Sequence, residues 1–264
     1  MHTPLCGHAF GSPEEYVDTA IRKGVSLVTF TCHIPMTGAG YSQEGIRMRF
    51  QDIPEYRRMI SDAATYGKEN GIEVLYGIEA EITPERSEMD SMRALIEEED
   101  FDFVLGSLHH MMPFWRQLMH SQNIHSDADM IRFYFENIAA GAQSGLFHSI
   151  AHPDVIRLYS TLEGDFVPAD HEAVIKDCLD SVAESGTCLE INTSGLIKGD
   201  FVVHPDPIIM AWAIERKIAF TIGSDSHSPD RVGENFEQVI EEFQELGLRE
   251  LNYFKAGKRL SVAL

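Results

Sequence analysis

The sequence has few cysteines, few basic residues and no long apolar run. Its four cysteines are scattered without a CxxC pair, which excludes a disulfide scaffold and favours a reducing cytoplasm. No run approaches the about 18 apolar residues of a membrane span, and a signal-peptide pattern is missing from the first residues. The formal charge of −21, from 42 acidic and 21 basic side chains, disfavours a nucleic acid polymer as partner. We therefore expect a cytoplasmic protein with no membrane partner.

Short apolar runs alternate with longer amphipathic ones along the chain. No linker or composition shift divides the 264 residues, so we expect a single domain over residues 1–264. The βαβα order predicts a parallel α/β sheet with outer helices, and six to seven units favour a closed (β/α) barrel over an open doubly wound sheet. Strands are predicted at 25–31, 72–78, 101–107, 147–151, 188–193 and 218–224, and helices at 52–70, 126–143, 168–185, 205–216 and 229–246, with a further helix starting at Ser12-Pro13.

Side chains that can bind metal follow five of the six predicted strands. The chemistry of a (β/α) barrel gathers at this edge of the strands. With 12 histidines in 264 residues, chance would place a histidine among the three residues after each of four strands about once in two thousand cases. Many imidazoles with few carboxylates suit zinc, iron or manganese, and two or more such ions suit phosphate-ester hydrolysis. These residues are His33, Glu79, His109, His152, Asp225 and His227, while spacing alone does not assign His2 and His8.

Seven short motifs occur in order between residue 1 and about residue 233. They are HTPLCGHA (2–9), FTCHIPM (30–36), GIEA (77–80), GSLH (106–109), IAHPD (150–154), LEINTSGL (189–196) and GSDSH (223–227). Together they resemble the polymerase-and-histidinol-phosphatase (PHP) superfamily, in its histidinol-phosphatase branch.

The resemblance implies a distorted seven-stranded TIM-like barrel that holds two to three divalent transition metal ions (Zn, Fe or Mn). A metal-bridging hydroxide would hydrolyse a small phosphorylated substrate, and the resemblance implies histidinol phosphate. A phosphodiester or nucleotide-derived substrate is the alternative. Catalytic roles fall to Glu79, Asp225 and His227. The implied ligands are His2, Glu79 and Asp225 for one ion, Glu79, His109 and His152 for a second, and His8, His33 and His227 for a third.

Three positions depart from the family pattern. The family opens with His-x-His, but Met1 occupies the middle position here, so the leading histidine and most of the first strand are absent. We expect a start codon placed too late, the alternative being a catalytically impaired metal-binding protein. Cys32 replaces a common Asp and is expected to be an inert buried thiol rather than a metal ligand. Lys198 stands where the branch usually has an arginine.

Substrate-binding residues are less well defined by the sequence. Arg157 lies near the rim of the predicted barrel, and a long loop at 37–51 carries two more arginines. Each of the three could bind the substrate phosphate or could equally be a solvated surface residue. Glu81 is expected at the surface. A homo-oligomer contact through the apolar stretch at 111–115 stays open, although core packing is commoner. The substrate-binding candidates are Arg157, Lys198, Arg47 and Arg49.

Overall fold

Parallel strands, adjacent in chain order, form the central sheet of the computed structural model, which describes residues 1–38, 40–41, 45–158, 162–196 and 202–264. Each strand is hydrogen-bonded to the next, and their bounds lie close to the predicted apolar runs. The fold prediction is therefore confirmed at the level of a parallel α/β sheet. The strands are β1 (Leu27–His33), β2 (Glu73–Glu81), β3 (Phe103–Ser107), β4 (Ser149–Ile150), β5 (Cys188–Asn192) and β6 (Phe220–Gly223).

The sheet curls into a half-barrel whose two edges are joined by the N-terminal residues. The Thr31 amide of β1 donates to the Met1 carbonyl at 2.8 Å, and the His2 amide donates to the Ser226 carbonyl beyond β6 at 3.0 Å. Across the interior, the hydroxyls of Ser149 on β4 and Thr221 on β6 lie 2.9 Å apart. The residues at 1–3 thus occupy the place between β1 and β6, and the expected first strand is reduced to this short segment.

Helices follow the strands and cover the outside of the sheet. The first is set by local chemistry, because the Ser12 amide donates to the Glu15 carboxylate at 2.6 Å and Gly24 ends the helix at a φ of 69°. The last predicted helix is shorter than expected, since Gly233 and Asn235 have positive φ values and it starts only after them. The helices are α1 (Pro13–Lys23), α2 (Ile53–Glu69), α3 (Arg86–Glu99), α4 (Pro113–Ser121), α5 (Asp127–Gln143), α6 (Glu172–Ser185), α7 (Pro207–Glu215) and α8 (Phe236–Leu246).

An antiparallel hairpin follows α8 and was not predicted. It consists of β7 (Glu250–Lys255) and β8 (Lys258–Ala263), joined by Ala256 and Gly257 with positive φ values of 48° and 68°. Every residue of β8 is exposed. The hairpin forms a separate two-stranded sheet, although β7 packs beside β6.

The core lies on both faces of the parallel strands, which explains why their sequences are nearly all apolar. Ile78 on β2, Ile150 on β4 and Leu189 and Ile191 on β5 are fully buried. Among the described residues, the helices are too short or too polar to cross a membrane. The buried strands therefore form a rigid frame, and their carboxyl ends carry the polar residues considered next.

Candidate metal centre

Strand pairing brings the predicted ligands to one edge of the sheet. His33, the last residue of β1, pairs with Glu79 of β2 in the parallel register. Strand β2 runs on to Glu81 because Ala80 and Glu81 pair with β3, so Glu79 lies inside the strand and not directly after it. His152 and Asp225 follow β4 and β6 and have positive φ values of 24° and 45°. Such a backbone is costly for residues other than glycine and is often found at functional sites.

Glu79 is the centre of the site, with an imidazole pair on each carboxylate oxygen. Its Oε2 lies 3.3 Å from His2 Nε2 and 3.3 Å from His33 Nδ1. Its Oε1 lies 3.6 Å from the Nε2 atoms of His109 and His152. The carboxylate is nearly fully buried. Glu79 therefore joins two groups of nitrogen donors through its two oxygens.

Asp225 extends the cluster on the side of His2. Its Oδ1 lies 3.1 Å from His2 Nε2 and 3.5 Å from His227 Nδ1. The Ser194 hydroxyl donates to its Oδ2 at 3.2 Å. The rings of His2 and His227 are stacked with their centroids 4.0 Å apart. In the first predicted ligand set, His2 is thus in contact with both Glu79 and Asp225.

His8 lies at the outer side of the cluster. Its ring centroid is 4.5 Å from that of His227 and 5.5 Å from that of His33. The His8 Nδ1 is 3.2 Å from the Cys6 carbonyl, which leaves its Nε2 as the available donor. One ligand atom from each of His2, His33 and His227 lies within 4.8 Å of the others. The structure therefore brings all eight predicted ligands together, with His33 between the groups.

The donor atoms fit divalent transition metal ions. Two ligands bound at 2.0–2.2 Å to one tetrahedral cation lie about 3.4 Å apart. The distances between carboxylate oxygens and imidazole nitrogens here are 3.1–3.6 Å. Several ring nitrogens are also buried without a hydrogen-bond partner, an arrangement that is costly unless a cation satisfies them. These nitrogens are the Nδ1 atoms of His2 and His152 and the Nε2 atom of His227.

The protonation states suit cation binding. Burial lowers the pKa of His33 well below its usual value and lowers that of His227 to about 3, so both rings are neutral. Burial alone would raise the pKa of Glu79, but the surrounding imidazoles, His33 foremost, hold it well below its usual value. For His2, burial is outweighed by Asp225, Cys32 and Glu79, which raise its pKa to about 9. A bound cation would replace the proton on His2.

Glu81 and Arg47 form a buried pair behind His109. Glu81 accepts from the His109 amide at 3.0 Å, lies 2.8 Å from His109 Nδ1, and forms an ion pair with Arg47. The expected surface position of Glu81 is wrong, because the carboxylate is fully buried. Arg47 is also buried, and its Nε donates to the Tyr41 carbonyl at 3.1 Å. The guanidinium is therefore committed to protein groups, and the carboxylate fixes the orientation of the His109 ring.

Arg157 is similarly committed to carboxylates. Its Nε lies 2.8 Å from Asp154, and its Nη1 lies 3.2 Å from Asp206. Asp154 also contacts His204 Nδ1 at 2.6 Å. Only a tenth of the Arg157 side chain is exposed. This network braces the segment after His152 and leaves little of the guanidinium free for a ligand.

The two remaining substrate-binding candidates lie farther from the described cluster or outside the described residues. The Arg49 side chain is 71% exposed and pairs with Asp52 at 2.8 Å. Lys198 lies outside the described residues. Among the described residues, Arg49 has no hydrogen bond or ion pair with the eight predicted ligands.

Sequence reasoning missed Glu190, a buried carboxylate of β5. It accepts from the His152 amide at 3.0 Å and from the Asn192 side-chain amide at 2.9 Å. Burial raises its pKa. The signal was present, because Glu190 is the one charged residue in the apolar run 188–193. It supports the backbone that presents His152.

Comparisons with known proteins agree with this geometry. The model of the PHP domain family matches residues 1–194. A probable histidinol-phosphatase of Deinococcus radiodurans is 32% identical over 256 residues, which cover 96% of this chain and 94% of that protein. The crystal structure of histidinol phosphate phosphatase from Lactococcus lactis, complexed with zinc, L-histidinol and phosphate, superposes with a TM-score of 0.79 at 20% identity. That match covers 98% of this chain and 97% of the other.

Proposed function

The chain belongs to the PHP domain family, and from this premise we propose that it hydrolyses histidinol phosphate to histidinol and phosphate. At the coarser level, the chain is a phosphomonoester hydrolase of this family. The observation that supports the proposal most is the position of Glu79, which has imidazoles on both of its oxygens. The substrate is suggested by the D. radiodurans relative and by the ligands of the L. lactis structure.

The proposal includes a site for up to three divalent ions among the described residues. Glu79 is proposed as the bridge between the two ions nearest to it. When bound, such cations polarise a phosphoryl oxygen and supply hydroxide at neutral pH. The proposed sets are His2, Glu79 and Asp225; Glu79, His109 and His152; and His8, His33 and His227.

The chain's own residues prepare the site for an anionic ester. Glu79 stays charged while His33 and His227 stay neutral, so these three donors carry no competing proton, and a cation has only to displace the proton on His2. Glu81 holds the His109 ring through Nδ1, and the Ser194 hydroxyl holds Asp225. Catalytic roles are proposed for Glu79, Asp225 and His227.

Recognition of the phosphate falls mainly to the bound cations in this proposal. Arg47 and Arg157 are paired with buried carboxylates, and the chain carries a charge of −21. An anion is therefore repelled by the protein as a whole unless cations occupy the cluster. Lys198 and Arg49 stay proposed phosphate contacts. Residues 1–264 are proposed to act as a single domain, and a homo-oligomer stays a prediction.

Phosphate release from a panel of esters tests the substrate. Protein stripped of metal and reloaded with Zn²⁺ or Mn²⁺ should release phosphate from histidinol phosphate faster than from other monoesters and from diesters. Glu79→Gln should lose both metal and activity. Glu73→Gln is the matched control, because Glu73 lies on the same strand but pairs with Lys255 at the surface.

In elemental analysis of the reloaded protein, the histidine cluster around Glu79 should account for two to three equivalents of metal per chain. A metal-loaded protein that released phosphate from none of the esters would contradict the proposal. Equal turnover by Glu79→Gln and Glu73→Gln would contradict the role of Glu79.

A further inference from the structure

Two cysteines lie side by side next to the histidine cluster. Cys6 ends the short 3₁₀ turn Pro4–Cys6, and Cys32 is the second-last residue of β1. Both are free thiols with no exposed surface. The expectation that Cys32 is buried is confirmed, but it is not isolated. The segment at 1–6 folds back over β1 and brings the two sulfur atoms together from positions 26 residues apart.

Four potential donor atoms lie close together between these residues. Cys6 Sγ lies 3.2 Å from the Thr3 carbonyl oxygen, and Cys32 Sγ lies 3.7 Å from the same oxygen. One ligand atom from each of His2, Cys6 and Cys32 lies within 4.8 Å of the others. On a tetrahedral zinc ion with Zn–S near 2.3 Å, a sulfur and an oxygen ligand lie about 3.6 Å apart. The two observed sulfur-to-oxygen distances, 3.2 and 3.7 Å, lie on either side of this value.

The His2 ring provides an independent indication. Its Nε2 lies 3.3 Å from Glu79 and 3.1 Å from Asp225, so Nδ1 is the ring nitrogen available to a cation bound by the two cysteines. Nδ1 is buried without a hydrogen-bond partner, in a side chain that is 2% exposed. A buried ring nitrogen with no partner is unfavourable, and a cation shared with two thiolates would satisfy it.

We propose that Cys6, Cys32, His2 and the Thr3 carbonyl form a separate site for a zinc-class divalent cation. Thiolate ligands select zinc-class ions over magnesium, calcium or manganese. On binding, both thiol protons and the remaining ring proton of His2 pass to solvent, and His2 then links this site to the cluster around Glu79. The ion would fix the segment at 1–6 on β1 and the orientation of His2. This inference goes beyond the proposed function and does not depend on the substrate.

Cadmium loading tests the site, because cadmium bound to thiolate absorbs in the ultraviolet by charge transfer. Wild-type protein stripped of metal and titrated with Cd²⁺ should show this absorption. Cys6→Ser and Cys32→Ser should each lose it, together with about one equivalent of bound metal. Cys178→Ser is the matched control, since Cys178 is also buried but lies on α6, and it should behave as wild type.

Other outcomes would overturn the proposal. Absence of charge-transfer absorption in the wild type would exclude thiolate ligation. Loss of the absorption in Cys6→Ser but not in Cys32→Ser would move the sulfur contact to His8 and His227, whose ligand atoms also lie within 4.8 Å of Cys6. A mass two hydrogens lower in the freshly purified protein would show a disulfide in place of the site.

A measurement on the wild type covers the case in which the serine variants do not fold. The cadmium-113 NMR shift reports how many sulfur atoms bind each ion, and we expect one resonance with two sulfur ligands. Resonances with nitrogen and oxygen ligands alone would refute the site. Phosphate release with no thiolate signal would refute this inference alone, whereas a thiolate signal without phosphate release would refute the proposed function alone.

Discussion

Replacing Arg47 with methionine tests whether this arginine supports the site or contacts the substrate. Methionine keeps most of the apolar stem and removes the guanidinium. The Arg47 side chain is 3% exposed and that of its partner Glu81 is 0% exposed. Breaking a buried ion pair by removing one partner costs about 3–5 kcal/mol, because the other charge stays buried. Because Glu81 keeps its two contacts with His109, we expect the free energy of unfolding to fall by about 3 kcal/mol, the lower end of this range.

The assay is urea unfolding of metal-free protein at neutral pH, followed by far-UV circular dichroism. Arg58→Met is the matched control, because Arg58 pairs with Glu55 and Asp62 on the exposed face of α2 and its side chain is 61% exposed. Replacing Arg58 should leave the free energy of unfolding close to that of the wild type, because the ion pairs that it makes are exposed to solvent. Metal affinity should fall about 10–100-fold in Arg47→Met, since the Glu81 carboxylate that orients the His109 ring would lose its ion-pair partner. Equal unfolding free energies for the two variants, with a raised KM for Arg47→Met alone, would refute this reasoning.

Three further predictions concern the same edge of the sheet. Glu79→Gln should bind at least one equivalent of metal less than wild type by elemental analysis, because both of its oxygens face imidazoles; unchanged metal content would contradict the bridge. The charges of His109 and Arg47 outweigh burial and lower the pKa of Glu81 from 4.5 to about 2, so its stabilisation is complete above pH 4.5 and is lost as the pH falls towards 2. In an acid titration of metal-free protein, the free energy of unfolding should fall by about 3 kcal/mol through this group, and this part of the fall should be missing in Glu81→Gln. Identical acid profiles for the two proteins would contradict the role of Glu81. Gly223→Ala should destabilise the fold by about 1–3 kcal/mol and reduce turnover, since its Cβ would lie 2.2 Å from Glu190 Oε1; wild-type unfolding and kinetics would contradict this.

The sequence was sufficient for the parallel strands and for the metal-binding edge, since both depend on local patterns. Apolar runs covered on both faces are visible in any one segment, and a ligand directly after such a run is placed by the strand itself. The hairpin of β7 and β8 was missed because its turn, Ala256-Gly257, lacks the Asn-Gly or Asp-Gly pair that usually marks one. The limits of β2 depend on pairing with β3, which is not a local property.

The side-chain contacts that support the ligands from behind could not be predicted. Arg47 and Glu81 are 34 residues apart, and a charged residue in a loop is solvated far more often than it is buried. Cys6 and Cys32 likewise meet only because the segment at 1–6 lies along β1. Local periodicity predicts the strands, whereas the residues that orient each ligand are brought there by the packing of segments distant in sequence.

The single carboxylate shared by four imidazoles has a consequence for metal uptake. Ions on the two sides of Glu79 would draw electron density from the same group, so filling one side must alter the affinity of the other. Their binding isotherms would then be linked and not independent, and the coupling would be reciprocal. A calorimetric titration would measure this linkage as a departure from independent sites.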